Sequence, residues 1–62
     1  MKRTSALDDA DLTRAFQQAQ AGEKFLVSNE PERKRAYRAA SSAGRKIATR
    51  RVRDGGFHAT VL

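Results

Sequence analysis

Four turn and cap signals divide the 62-residue chain into short segments. They are Gly22, the Asn-Glu-Pro stretch at 29–31, Gly44 and the Asp-Gly-Gly stretch at 54–56. Glycine and proline interrupt regular structure, so each interval has room for one short helix or strand. A chain of about 60 residues also has enough apolar surface for only one thin core. We therefore expect a single small domain over residues 1–62.

The segment 8–21 has the apolar spacing of an amphipathic helix. On a helical wheel its apolar residues fall within one arc of about 100°. They are Leu12, Ala15, Phe16 and Ala19. The early aspartates can cap its start, and Gly22 is the natural stop. Residues 1–6 before it are expected to form a flexible arm.

A short apolar run and a helix start signal follow. Residues 24–28 lie between Gly22 and the 29–31 signal, which leaves room for a strand rather than a helix. The next segment, 30–43, is predicted to be a helix because Asn29 can cap it and Pro31 fits its first turn. Gly44 is its expected left-handed stop. The side of this helix expected to be buried is rich in alanine, with Ala36, Ala39, Ala40 and Ala43.

The last third, 46–62, has the pattern of a β-hairpin around the Asp-Gly-Gly stretch. Asp-Gly and Gly-Gly both suit two-residue type I′ turns. Such a turn places one set of residues on the buried face: Ala48, Arg50, Val52, Phe57, Ala59 and Val61. The opposite, exposed face then carries Thr49, Arg51, Arg53, His58 and Thr60.

These segments give the order α-β-α-β-β and predict an α+β fold. The expected architecture is a three-stranded, mostly antiparallel sheet covered by two helices on one face. The most economical arrangement places the apolar C-terminal strand in the middle, between the strand at 24–28 and the arginine-rich strand of the hairpin. The arginine-rich strand of the hairpin then lies at one edge.

The net charge of +6 is distributed unevenly along the chain. The first 22 residues are balanced, so the whole excess lies beyond Gly22. Most of the cations beyond Gly22 fall between positions 33 and 53, and most of those are arginine. The planar guanidinium of arginine can donate two parallel hydrogen bonds to a phosphate. A short chain with segregated charge presents a basic surface to an acidic partner.

Several functional classes are disfavoured by composition. There is no cysteine, and His58 is the sole histidine, so disulfides, thiolate metal sites and histidine-based catalysis have little to use. No Gly-rich phosphate loop is present, and no apolar run is long enough to span a membrane. We expect no enzyme activity, no cofactor, no metal and no signal peptide, and a cytoplasmic location.

Nucleic-acid binding fits the basic run best, with phosphate contacts from one helix face and the hairpin. The candidate binding residues are Lys34, Arg35, Arg38, Arg45, Lys46, Arg50, Arg51 and Arg53. The aromatic residues all suit core positions, so no platform for stacked bases is expected, and duplex DNA is favoured over RNA. The expectation is a small DNA-binding or DNA-associated regulatory protein.

A different class of function explains the same charge. Short, charge-skewed proteins of the kind that phages and mobile elements encode often act as regulators or inhibitors of a larger host protein. The basic surface would then dock on an acidic protein surface, and an exposed edge strand would add to the partner's sheet. A homodimer, which would enlarge the thin core, is compatible with either class.

Overall fold

The computed structural model describes residues 2–53 and 55–62. Its helices are α1 (Asp9–Gln18) and α2 (Glu30–Ser42), and a short 3-10 turn occupies Thr4–Ala6. Its strands are β1 (Lys2–Arg3), β2 (Lys24–Val27), β3 (Ile47–Arg51) and β4 (Phe57–Val61). The four strands form one sheet in the order β1-β2-β4-β3.

The α+β class and the two helices predicted from sequence are confirmed, but the sheet has one more strand than expected. β1 pairs in parallel with β2, whereas β4 is antiparallel to both β2 and β3, so the sheet is mixed. Residues 2–6, expected to belong to a flexible arm, form β1 and the 3-10 turn. The two residues of β1 carry no apolar pattern, so only backbone pairing in the folded chain reveals the strand.

Both helices cover the same face of the sheet. The strand residues buried on this face are Phe25, Val27, Ile47, Phe57, Ala59 and Val61. α1 adds Leu12, Ala15 and Phe16 to the core, and α2 adds Ala36, Ala39 and Ala40. The rings of Phe16 and Phe25 lie 4.7 Å apart between their centroids. Small alanine side chains let α2 lie close to its neighbours, which helps a thin core to close.

The ends of α2 follow the sequence prediction. The side chain of Asn29 accepts a hydrogen bond from the backbone N–H of Glu32 at 3.0 Å, as an N-cap does. At the other end, Gly44 has a positive φ of 70°. The N–H of Gly44 donates to Ser41 and that of Arg45 donates to Ala40, which is the Schellman pattern of helix ends.

The hairpin register differs from the prediction by one residue. β3 and β4 pair Ile47 with Val61 and Arg51 with Phe57, and the N–H of Val52 donates to the carbonyl of Gly56. Three residues, not two, therefore separate the paired positions 52 and 56. Such loops place a residue of positive φ at their end, and Gly55 has φ 89°. The predicted turn residue 54 lies outside the described residues.

This shift exchanges the two faces of β3. A one-residue change of register moves every side chain of a strand to the opposite face. Thr49 and Arg51 therefore lie on the helix side of the sheet, while Ala48, Arg50 and Val52 lie on the other side with His58 and Thr60. The prediction that Arg50 interrupts the buried face was wrong, since Arg50 is exposed.

Candidate functional site

The fold separates charge by layer. The four strands contain five basic residues and no acidic one: Lys2, Arg3, Lys24, Arg50 and Arg51. The two helices are nearly balanced, with Asp9, Asp11, Glu30 and Glu32 against Arg14, Arg33, Lys34, Arg35 and Arg38. Most of the net charge of +6 thus belongs to the sheet. From the sequence, the excess positive charge was expected on the second helix and the hairpin together.

The side of the sheet that faces away from the helices is uncovered, and we call it the open face. Strand register places on it Arg3, Lys24, Leu26, Ala48, Arg50, His58 and Thr60, and Val52 continues β3 at its hairpin end. Arg3, Lys24 and Arg50 are exposed, whereas Leu26, His58 and Thr60 are half-buried. No ion pair joins these three cations to a described carboxylate.

One row of the open face crosses all four strands. Arg3 is the register partner of Leu26, Leu26 of His58, and His58 of Arg50. Lys24 lies two residues from Leu26 along β2. Neighbouring strands lie about 4.8 Å apart, and a strand rises about 3.3 Å per residue. The Cα atoms of Lys24 and Arg50, two strands and two residues apart, are therefore separated by roughly 12 Å. These long side chains therefore spread positive charge across the whole width of the sheet.

Arg35, one of the predicted binding residues, is part of the scaffold. Its guanidinium donates to the Asp9 carboxylate at 2.6 Å, to the Thr4 carbonyl at 2.8 Å and to the Glu32 carboxylate at 3.1 Å. It also donates to the carbonyl of Leu7. The hydrogen bond to Asp9 is the main cause that raises the pKa of Arg35. Arg35 thus attaches the segment after β1 to α2.

Arg45 also has an internal role. Its Nη1 donates to the carbonyl oxygens of Phe16 at 2.9 Å and Ala19 at 2.7 Å, with a longer bond of 3.4 Å to Gln17. These oxygens lie at the C-terminus of α1, where helical carbonyls lack partners within the helix. The helix ends at Gln18, earlier than the expected residue 21, and Ala19 is already extended.

Arg51 lies on the helix side of the sheet, next to an aromatic ring. Its guanidinium carbon is 5.7 Å from the centroid of Phe57, its register partner. Arg33 of α2 lies 5.2 Å from the same centroid and pairs with Glu30 at 3.1 Å. Both distances are in the range of cation–π contacts. Phe57 is therefore covered by two guanidinium groups, and Arg51 is not on the open face.

The remaining predicted residues are exposed but do not form one surface. Lys34 and Arg38 belong to α2, on the side of the molecule opposite to Arg50. Lys46 directly precedes β3, and Arg53 lies in the hairpin loop beside the open face. The structure thus groups Arg50 with Arg53 and separates both from the helix residues.

Two cations of the open face were missed by the sequence prediction. Arg3 and Lys24 lie far from the basic run in sequence, and only the pairing of β1, β2 and β4 brings them beside Arg50. His58 was placed on an exposed face, but with Arg51 rather than with Arg50. The alternation of β2 could have identified Lys24, because Lys24 and the inward Phe25 are adjacent.

Residues 2–53 and 55–62 contain no helix whose length and apolar character would let it cross a membrane. Across the same residues, no three His, Asp or Glu side chains lie together as metal ligands would. Comparisons of the chain with protein-family models, curated proteins and solved structures found no match.

Proposed function

We propose that this chain is a small DNA-binding or DNA-associated protein whose open face lies against the phosphate backbone. The supporting observation is the sheet itself, whose described strands carry five basic residues and no acidic one on an architecture covered from one side only. DNA phosphates attract a basic surface whatever the base sequence. Contacts with the DNA backbone therefore supply most of the affinity for DNA.

The cations of the open face are available to an external anion. Arg3, Lys24 and Arg50 are exposed, and each is without an ion pair to a described carboxylate. By contrast, the guanidinium groups of Arg35 and Arg45 are occupied by internal acceptors. We therefore assign phosphate contact to the open face and its loop residue Arg53, and not to the whole basic run.

Duplex DNA is the proposed partner because the described strands offer no row of exposed aromatic rings on which successive bases could stack. Neither phenylalanine nor tyrosine lies on it in the described strands, since Phe25 and Phe57 point to the core. Proteins that bind long single strands usually offer several stacked aromatics. A surface of dispersed cations instead suits the regularly spaced phosphates of a duplex.

A titration of a labelled random-sequence duplex at two salt concentrations tests this proposal. With about four phosphate contacts, the log–log slope of affinity against salt is expected near −3.6. The dissociation constant at physiological salt should lie at roughly 1–100 μM, the range of non-specific binding. An absence of binding at low salt up to the top of that range would overturn the proposal.

A pair of charge reversals locates the surface. Lys24→Glu together with Arg50→Glu changes two cations of the open face, and Lys34→Glu together with Arg38→Glu makes the same change in charge on α2. We expect the first pair to weaken duplex binding at least tenfold and the second pair to have a clearly smaller effect. Equal losses from both pairs would indicate that net charge, rather than the open face, governs binding.

One observation favours docking on a protein as a second candidate function. In the described part of the chain, the large apolar side chains exposed to solvent are Tyr37 and Leu62, at 42% and 64%. Both line a groove with Ile47 beside the edge strand β3. The test is Tyr37→Ser with Leu62→Ser in a pull-down from nuclease-treated host lysate. Loss of one stoichiometric partner, with duplex affinity unchanged, would support this function.

A further inference from the structure

The open face contains one cleft whose chemistry differs from that of the surrounding cations. Leu26 and Val52 line its apolar part, and Ser28, Arg53 and His58 complete its border. Its volume is about 420 Å³, within the range of about 300–1,000 Å³ that is usual for small-molecule sites. An apolar opening in a basic surface is not needed for phosphate contact alone.

A glycine lines this cleft where two backbone segments meet. Gly56 is paired with Val52 through the backbone and contributes no side chain to the cleft it lines. A Cβ atom at this position would lie 2.5 Å from the backbone oxygen of Val27, which is closer than side chains approach. The close approach of this backbone to that of Val27 therefore requires glycine here, and position 56 places no side chain in the cleft beside Leu26 and His58.

The border of the cleft combines a planar ring with positive charge. His58 is half-buried, and its register partner on β3 is the exposed Arg50. Arg53 borders the cleft from the hairpin loop. Histidine is one of the side chains on whose ring unpaired bases stack. Guanidinium groups can bind the phosphates on either side of such a base.

We propose that this cleft receives an unpaired nucleobase, which stacks on His58 between Leu26 and Val52. Arg50 and Arg53 contact the flanking phosphates. A base is planar and apolar on its faces and is joined to phosphates, so it matches both the lining and the charge of the border. A phosphate ion would leave the apolar lining unused, and an apolar peptide side chain would leave the cations unused.

This proposal rests on the proposed DNA binding and adds a preference to it. A perfect duplex keeps its bases inside the stack and has none to place in the cleft. DNA with an unpaired nucleotide provides one at little cost of unstacking. We expect a duplex with a single-nucleotide bulge to bind roughly tenfold tighter than the same duplex without it, as stacking of one base allows.

The test compares these two labelled duplexes with the full chain by fluorescence anisotropy in the same buffer. His58→Ala should abolish the preference for the bulged duplex and leave affinity for the perfect duplex within about twofold. His58→Phe keeps a ring and should keep the preference. Thr60→Ala, two residues away on the same strand and face, is the matched control and should behave as wild type.

A second measurement does not depend on a variant. His58 is the sole histidine, so its ring signals are identifiable in a 1H–13C correlation spectrum of the 13C-labelled protein, in which unlabelled DNA is not detected. The bulged duplex should shift these resonances upfield through the ring current of the stacked base, and the perfect duplex should not. Identical shifts with both duplexes, or none with either, would contradict stacking on His58.

The outcomes separate this inference from the proposed function. Salt-dependent binding of both duplexes with equal affinity would overturn the base cleft and leave DNA binding standing. A failure to bind either duplex would overturn DNA binding itself. A preference that persists in His58→Ala would show that bulge flexibility, rather than the cleft, causes it.

Discussion

Nη1 of Arg45 lies 2.9 Å from the carbonyl oxygen of Phe16 and donates a hydrogen bond to it. The Schellman turn at Gly44 ends α2 and positions Arg45 so that its side chain reaches the C-terminus of α1. The positive charge also opposes the negative end of the α1 dipole. A residue that the sequence assigns to a binding surface therefore joins the two helices.

We expect Arg45→Ala to destabilise the protein because three carbonyl oxygens at the end of α1 lose a charged donor. The loss should be about 1.5–3 kcal/mol, typical of hydrogen bonds to charged groups. In a domain of this size that lowers Tm by roughly 6–24 °C. Thermal unfolding followed by circular dichroism measures it. Lys46→Ala, the neighbouring exposed cation, should change Tm little, and equal effects would contradict the assigned role.

Arg35→Met is predicted to release the N-terminal segment from α2. The substitution keeps an apolar stem but removes the donors to Asp9, Thr4 and Leu7. The unfolding free energy should fall by about 2–3 kcal/mol, because the carbonyls of buried Thr4 and half-buried Leu7 lose a charged donor. Urea denaturation gives this value, and hydrogen exchange should show faster exchange in the segment 2–7. Arg38→Met on the same helix should be nearly neutral.

Arg50 and Arg51 are adjacent in sequence but lie on opposite faces of β3, which provides a test of the register. Arg50→Glu is expected to weaken duplex binding about three- to tenfold and to leave stability nearly unchanged. Arg51→Glu removes the contact with Phe57, worth about 0.5–1 kcal/mol at an exposed site, and should weaken binding less. The reverse ranking in duplex titrations would indicate the register first expected from sequence.

Gly56→Ala is predicted to be destabilising, since its Cβ would lie 2.5 Å from the backbone oxygen of Val27. Strand β4 or the end of β2 must move, at a cost of about 1–3 kcal/mol for such overpacking. Ser28→Ala, at a neighbouring exposed position, is the matched control and should stay within about 0.5 kcal/mol of wild type. Unchanged stability in Gly56→Ala would contradict the close approach of the two backbones.

Local signals in the sequence were enough to predict most of the secondary structure. Asn29 and Pro31 start α2, Gly44 ends it, and the alternation of β2 identifies Phe25 and Val27 as inward residues. Each of these features depends on residues within one turn or one strand. Such interactions form wherever the local sequence occurs, so they are readable without the rest of the chain.

The candidate site was predicted less well, because it depends on contacts between distant segments. Whether an arginine is free for a partner depends on which carbonyl or carboxylate it meets. Arg35 meets residues of the N-terminal segment and Arg45 meets the end of α1, and neither encounter has a local signal. Identical residue types in one basic run therefore have opposite roles.

The sequence by itself determined the α+β class, the two helices with their N-caps, the C-terminal end of α2, the hairpin and a strongly basic chain. Tertiary structure decided the fourth strand, the register of the hairpin and the location of the charge. The physical reason is that a hairpin loop longer by one residue moves every side chain of β3 to the opposite face of the sheet. Pairing between distant strands, in turn, is what places Arg3 and Lys24 on the same face as Arg50.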